Sequence, residues 1–253
     1  MLTTLAAAAA LTERVRVMAN LVIAPWHAAT LLAKQLATID VLSEGRLDVG
    51  VGVGGRGQDY ESLGVSTERR HQRLDDQVAE LRRLWSGEPA LAGSPPLGPP
   101  VVQQPAPPLY AGALGPKSLR RAARWASGVS GFSFGLDVDE ISSLCRAVDE
   151  AWRDVGADAF VDRPRVVVGC FVVLGADAPA KLELFTYEYL EVFGAGAAAA
   201  LSRQAVLSSP DALRDALERV GSETSCAEVI LVPGDTHPRQ ADEAAAVVAS
   251  LRA

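Results

Sequence analysis

The sequence predicts an α/β fold in which parallel strands alternate with helices packed outside them. Three observations predict it. Six apolar, β-branched segments are each followed by a helical pattern, the order that builds a parallel sheet with crossover helices. The strand segments are apolar without alternation, as burial on both faces of a sheet requires. The chain has 253 residues, the size of one (β/α) barrel, one large doubly wound domain or two small domains.

Each element has its own warrant. Residues 1–11 are Ala-rich and apolar, and no Lys or Arg precedes the run. That excludes a secretory signal, and the run is too short to span a bilayer. It reads as a helix entering a strand at 14–23. Over 28–42, Leu31, Leu32, Leu36, Ile39 and Leu42 recur at helical spacing, and Gly45 is a stop signal. A second strand follows at 46–53. Residues 67–85 carry Leu74, Val78, Leu81 and Leu84 on one face and charges on the other. Residues 86–108 hold eight of the 15 prolines, so they form an extended connection. Because strand–helix alternation resumes afterwards, this is read as a loop inside a single domain, 1–253. A third strand (108–112) precedes a helix (116–126), and a fourth strand (128–134) precedes a helix (138–155). The fifth strand (164–174) is followed by helices within 177–192, 195–206 and 210–220. A sixth strand (228–232) and a helix (238–251) close the chain.

Composition narrows the function. Hydrophobic residues are 49% and charged residues 22%, which excludes a disordered chain or a coiled coil. The net charge of −7 argues against nucleic acid or anionic membrane as a partner. Cys145, Cys170 and Cys226 have no metal or redox spacing and read as buried thiols of a reducing, cytoplasmic compartment. The three histidines share no ligand spacing, so no metal is expected.

Several motifs bear on chemistry. Gly50, Gly52 and Gly55 match the dinucleotide pattern G-x-G-x-x-G, but a loop at 56–60 stands where the fingerprint needs a helix to open. Gly50, Gly52 and Gly54 instead share one strand face, which admits a flat ring or a backbone closely. That face is expected near a ligand; close strand–helix packing is the other reading. Gly131-Phe132-Ser133-Phe134-Gly135 matches a nucleophile elbow, and His237 follows it in the order of a serine hydrolase. The helix starts too late for a sharp elbow, and no His-Gly-Gly segment precedes it, so a strand-end serine is preferred. Gly112 to Ser118 runs from a strand through a small-residue turn into a helix with Pro116 in its first turn. Free amides there make an anion site, with Lys117 adding charge. His27 reads as a satisfied loop histidine and His71, among Arg69, Arg70 and Arg73, as solvated. Asp137, Asp139 and Glu140 read as helix-start acids.

A long ordered stretch resembles a known family. It comprises Ala9 to Val17, Leu32 to Leu47, Gly50-Val51-Gly52, Tyr60-Glu61, Leu63-Gly64, Arg73-Leu74-Asp75 and Pro107 to Gly112. In these residues the chain resembles the bacterial luciferase-like monooxygenases, TIM-barrel oxidoreductases that use flavin or deazaflavin. The likeness is specific over residues 5 to 130; beyond that only the β/α order agrees.

The resemblance implies a TIM-barrel-like fold that lacks the first strands, so that six strands of the family's eight remain. It implies oxidation of a small organic substrate with reduced FMN and oxygen, the flavin coming from a separate reductase. Hydride transfer with the deazaflavin coenzyme F420 is the alternative. It also implies a non-proline cis peptide at Asn20-Leu21 behind the ring. Val53, Gly54, Gly55 and Gln58 would line the cofactor, and Gly112, Ala113 and Leu114 would meet its phosphate. No catalytic acid or base is singled out. Some family members carry a basic residue at Val53 and a carboxylate at Gly55, and the usual Ala-Asp-Gly is here Ala126-Ser127-Gly128. Other readings are a non-catalytic flavin-binding module or truncated remnant, and the hydrolase with Ser133. An open barrel would expose strand edges, so a homodimer is expected.

Overall fold

The computed structural model describes residues 1–251. The chain packs as two compact units, one of Met1–Val129 with Asp154–Pro164 and one of Ser130–Arg153 with the described residues from Arg165 onward. The first unit holds α1 (Leu2–Leu11), β1 (Val17–Ile23), α2 (Ala29–Leu42), β2 (Leu47–Gly52), α3 (Gly57–Ser62), α4 (Arg70–Trp85), β3 (Leu109–Ala111) and α5 (Pro116–Ala123). Strand β4 (Gly128–Phe132) begins there. The second unit holds the rest of β4, then α6 (Val138–Val155) as far as Arg153, β5 (Arg165–Val172), α7 (Ala178–Leu190), α8 (Ala195–Ser202), α9 (Pro210–Glu223), β6 (Glu228–Pro233) and α10 (Arg239–Ser250).

The strands lie in chain order, β1-β2-β3-β4-β5-β6. The pairs β1–β2, β2–β3, β3–β4 and β5–β6 run parallel, with Val49 opposite Leu109 and Val168 opposite Val229. Every strand is followed by helix. This is the expected β/α order, with six strands where a complete barrel has eight. β2 is buried along its whole length, so its run of apolar residues and glycines faces protein on both sides.

In the first unit, three polar anchors set the frame. Arg46 donates to the carbonyls of Ala9, Thr12 and Val15, which closes the end of α1 and the lead into β1 over the start of β2. Asp40 is fully buried and pins the Pro-rich segment. Its carboxylate accepts from the amides of Val102 (2.6 Å) and Gln103 (3.1 Å) and from Gln103 Nε2 (2.8 Å). A buried carboxylate is tolerable only when its oxygens are bonded in this way. Trp85 Nε1 donates to Ala33 O at 3.1 Å and ties α4 to α2.

In the second unit, Phe171 sits among Phe132, Phe185 and Tyr189, with ring centroids 4.7, 5.0 and 5.3 Å away. Each such contact adds about 0.5–1.5 kcal/mol beyond the area it buries. Gly169 makes room for the cluster, since a Cβ there would lie 2.9 Å from Phe132 Cδ2. Gln240 on α10 exchanges two 2.8 Å hydrogen bonds with the backbone of Leu174 just past β5. The serine at 209 caps α9 by accepting from Ala212 N.

Several expectations need correction. Residues 57–62 form α3 and not a loop, because Tyr60 is fully buried and its hydroxyl donates to Val53 O, which folds the segment back on β2. Helix α4 starts at Arg70 and not at 67, since Arg69 has φ 53° and cannot lie inside a helix. Strand β1 starts at Val17, as Arg16 turns out to pair with Asp48 at 2.6 Å. β4 stops at Phe132, where the serine that follows accepts from the amide of Asp137 just before α6. Cys145 and Cys170 are buried, but Cys226 is only partly so. Among the described residues, no helix is long and apolar enough to cross a membrane, and no cluster of three His, Cys, Asp or Glu side chains could hold a metal.

Candidate functional site

The first unit brings together the ends of β1, β2 and β3. The peptide bond between Asn20 and Leu21 is cis. The Leu21 side chain lies across the neighbouring strand ends. A Cβ on Gly50 would fall 2.6 Å from Leu21 Cδ2, one on Gly52 3.3 Å from Cδ1, and one on Gly112 2.4 Å from Cδ1. The glycine face of β2 is therefore filled by a leucine of the next strand. Packing of this strand residue, and not of a helix, accounts for Gly50 and Gly52. Gly54 has φ +68° and packs against Ile23, with Ile23 Cγ2 3.3 Å from where its Cβ would be.

Beside this leucine, at the ends of β2 and β3, lies a cavity of about 220 Å³ lined by Val53, Gly112, Ala113 and Leu114 from the strand ends, by His71 and Asp75 from α4, and by Ser118, Arg121 and Trp125 at and after α5. The turn into α5 is ordered by Ser118, whose hydroxyl accepts from Gly115 N (3.1 Å) and donates to Gly115 O (2.8 Å). Leu119 N supplies the first intrahelical bond, to Gly115 O. The amides of Lys117 and Ser118 have no intrahelical acceptor, as at any helix start. With the positive end of the α5 dipole, they favour an anion.

The cavity wall between α4 and α5 is ionic. Arg121 Nη2 pairs with Asp75 Oδ2, and Trp125 Nε1 donates to Asp75 Oδ1 at 3.2 Å. Burial raises the Asp75 carboxyl above its ordinary range, against the lowering pull of Arg121 and the Trp125 bond. The cavity's chemistry suits a phosphoryl group: the Arg121 guanidinium, already paired with Asp75, and the His71 imidazole line it beside the start of α5, with small residues leaving room.

Of the nine residues expected to bind a cofactor, Val53, Gly112, Ala113 and Leu114 line this cavity, and Leu21 packs on Gly112 at its edge. Asn20, Gly55 and Gln58 are exposed and do not line it. His71, expected to be merely solvated, lines it, and Asp75, Arg121 and Trp125 were not singled out for any role. A signal for two of these was present: Ser118, Arg121 and Trp125 recur at three- and four-residue spacing and so share one face of the chain leaving the anion-binding turn.

Other motifs resolve differently. Ser133 is 1% exposed. Its hydroxyl donates to Glu140 Oε2 (2.6 Å) and accepts from Asp137 N (3.1 Å), a helix-start arrangement with no histidine in it. His237 Nδ1 accepts from Arg239 N. The elbow reading therefore has no base to activate its serine. Asp137 also accepts from Glu140 N at 2.8 Å, so that acidic run is helix-start chemistry as expected. His27 is half-buried, and burial lowers its pKa; its carbonyl accepts from Gln77 Nε2 at 2.7 Å.

The chain is similar to known proteins along most of its length. The family model for luciferase-like monooxygenases matches residues 1–236. The flavin-dependent trigonelline monooxygenase oxygenase component of Acinetobacter baylyi is 29% identical over 169 residues, covering 62% of this chain and 45% of its own. The FMNH(2)-dependent dimethylsulfone monooxygenase of Pseudomonas putida is 30% identical over 171 residues, covering 60% and 46%. The chain thus spans about half the length of the curated relatives it matches. Among solved structures, monooxygenase RslO1 from Streptomyces bottropensis superposes with a TM-score of 0.73 at 25% identity, over 98% of this chain and 79% of that one. By the extent of the family match and the agreement in fold, the chain belongs to the luciferase-like monooxygenase family.

Proposed function

We propose that the protein is a flavin-dependent monooxygenase that acts on a small organic substrate with reduced FMN and oxygen, the FMN being supplied by a separate reductase. The observation that carries this reading is the anion-binding cavity at the β3–α5 turn, next to a leucine laid over glycine strand ends. Family membership and the FMNH(2)-dependent relative support FMN. In this reading the turn Gly112-Ala113-Leu114 and the opening amides of α5 hold the flavin phosphate. Asn20 and Leu21 lie behind the ring, Val53 and Gly54 flank it, and Gly55 and Gln58 stand at the rim. When bound there, reduced flavin would supply the electrons for reaction with dioxygen. The chain's own part is to fix the phosphate, offer Leu21 and Ile23 as an apolar support, and keep water from that side.

The test is a spectroscopic titration of the purified protein with FMN and with deazaflavin. FMN binding with a perturbed visible spectrum is the expected result. Binding of the deazaflavin alone would replace oxygen chemistry by hydride transfer, and binding of neither would refute the cofactor assignment.

A further inference from the structure

The cavity contains one cation held in a fixed orientation. Arg121 presents Nη2 to the Asp75 carboxylate, whose other oxygen is held by Trp125 Nε1. A guanidinium lining the cavity and ion-paired through one nitrogen is suited to a tetrahedral oxyanion, because its planar fork offers two parallel donors. Lys117 is exposed and on a flexible stem, so it adds charge without direction. Asp75 comes from α4 and Arg121 from α5, so the ion pair also fixes the spacing of the two cavity walls.

We propose that Arg121 is the residue that makes this cavity select a phosphorylated flavin over an unphosphorylated one, and that Asp75, braced by Trp125, is the positioning residue that aims it. The inference rests on the reading that the cavity takes the flavin phosphate. It assigns two roles that electrostatics alone would set against each other. If Asp75 acted only through its charge, removing that charge would make the cavity more positive and tighten an anion. If it aims Arg121, removing it frees a rotamer-rich side chain and loosens the anion.

The experiment measures the affinity of the full chain for FMN and for riboflavin by flavin fluorescence quenching. The wild type is compared with Arg121→Gln, Arg121→Lys, Asp75→Asn and the double variant Asp75→Asn/Arg121→Gln. Riboflavin affinity and far-UV circular dichroism monitor the fold. Arg121→Gln is expected to weaken FMN by about tenfold to a hundredfold, the range of one charge-assisted hydrogen-bonding group, and to leave riboflavin unchanged. Arg121→Lys is expected to recover part of the loss, and it replaces the glutamine variant if that does not fold. Asp75→Asn is expected to weaken FMN several-fold, and to have no further effect once Arg121 is glutamine. Equal wild-type affinity for FMN and riboflavin would overturn both the flavin reading and this inference. A wild-type preference for FMN that survives in Arg121→Gln, or a tighter FMN complex in Asp75→Asn, would overturn this inference alone.

Discussion

Gly112→Ala is a direct test of how the site is assembled. Gly112 does not occupy the left-handed region, so alanine can adopt its backbone and the cost is purely steric. The new Cβ would lie 2.4 Å from Leu21 Cδ1, whereas carbon atoms rest at about 3.5–4.0 Å. The leucine end must therefore move by roughly 1 Å or more. It cannot simply slide along the sheet, because its methyls already rest on the bare faces of Gly50 and Gly52. Overpacking of this kind costs about 1–3 kcal/mol. At about 2–4 °C per kcal/mol for a chain of this size, the melting temperature should fall by about 2–12 °C. Leu21→Ala alone should cost about 1–2 kcal/mol, since Leu21 is only half-buried. In the double variant the alanine methyl enters space that the leucine has left, so the two losses should fall short of their sum by about 1 kcal/mol or more. Thermal and urea unfolding of the four proteins measure this. Additivity within about 0.5 kcal/mol would show that Leu21 and Gly112 are not in contact and would remove the structural basis of the site.

Further outcomes follow from other buried groups. Asp40→Ala removes the acceptor of three donors on the Pro-rich segment; it should cost about 3 kcal/mol and open 86–108 to thermolysin, with Asp40→Asn milder on both counts. Ser133→Ala should cost about 1 kcal/mol, as the loss of a buried hydrogen bond does, and folded wild-type protein should not react with a fluorophosphonate; labelling at Ser133 would revive the hydrolase. Burial pushes the Cys170 thiol up to about 12, so at about pH 8 only about one part in ten thousand is thiolate. A thiol reagent should then leave Cys170 unmodified in native protein and reach it only in denaturant, as peptide mass spectrometry would report. The raised Asp75 pKa means that the folded chain holds that proton more tightly than the unfolded chain. Ionisation thus costs stability above the unfolded pKa, and the cost is relieved as pH falls through the folded value. From about pH 3 to about pH 7 the stability of the wild type in urea should fall relative to that of Asp75→Asn, and a pH-independent difference would refute the raised carboxyl.

How legible the fold was depended on the kind of signal. Helix α6 matches its expected bounds at both ends, because hydrophobic periodicity and an acidic start coincide there. The six strands and their order were legible because strands buried on both faces leave uninterrupted apolar runs. Element ends were less so, since each is decided by a contact the local pattern does not contain. Arg16 leaves β1 for Asp48, and the serine after β4 turns to α6. The helix α3 was missed because Gly57 and Ser62 are poor helix formers, and what stabilises it is the tertiary burial of Tyr60.

The site was legible where it depends on backbone and illegible where it depends on side chains from two elements. A small-residue turn followed by Pro116 marks a helix start with free amides by local chemistry alone, and four of the residues named from sequence line the cavity found there. Asp75 and Arg121 belong to different helices separated by the Pro-rich segment, and nothing local to either predicts that they meet. The glycine row of β2 shows the same limit from the other side. A run of glycines states that something must come close, but not what. Leu21, in a different strand, comes close, so a row that a sequence reader assigns to a ligand is first a requirement of packing. The two roles are compatible in one geometry: the glycines let Leu21 lie flat across three strand ends, and that leucine, with the turn at Gly112 beside it, forms the surface on which a flat ring with a phosphate tail would rest.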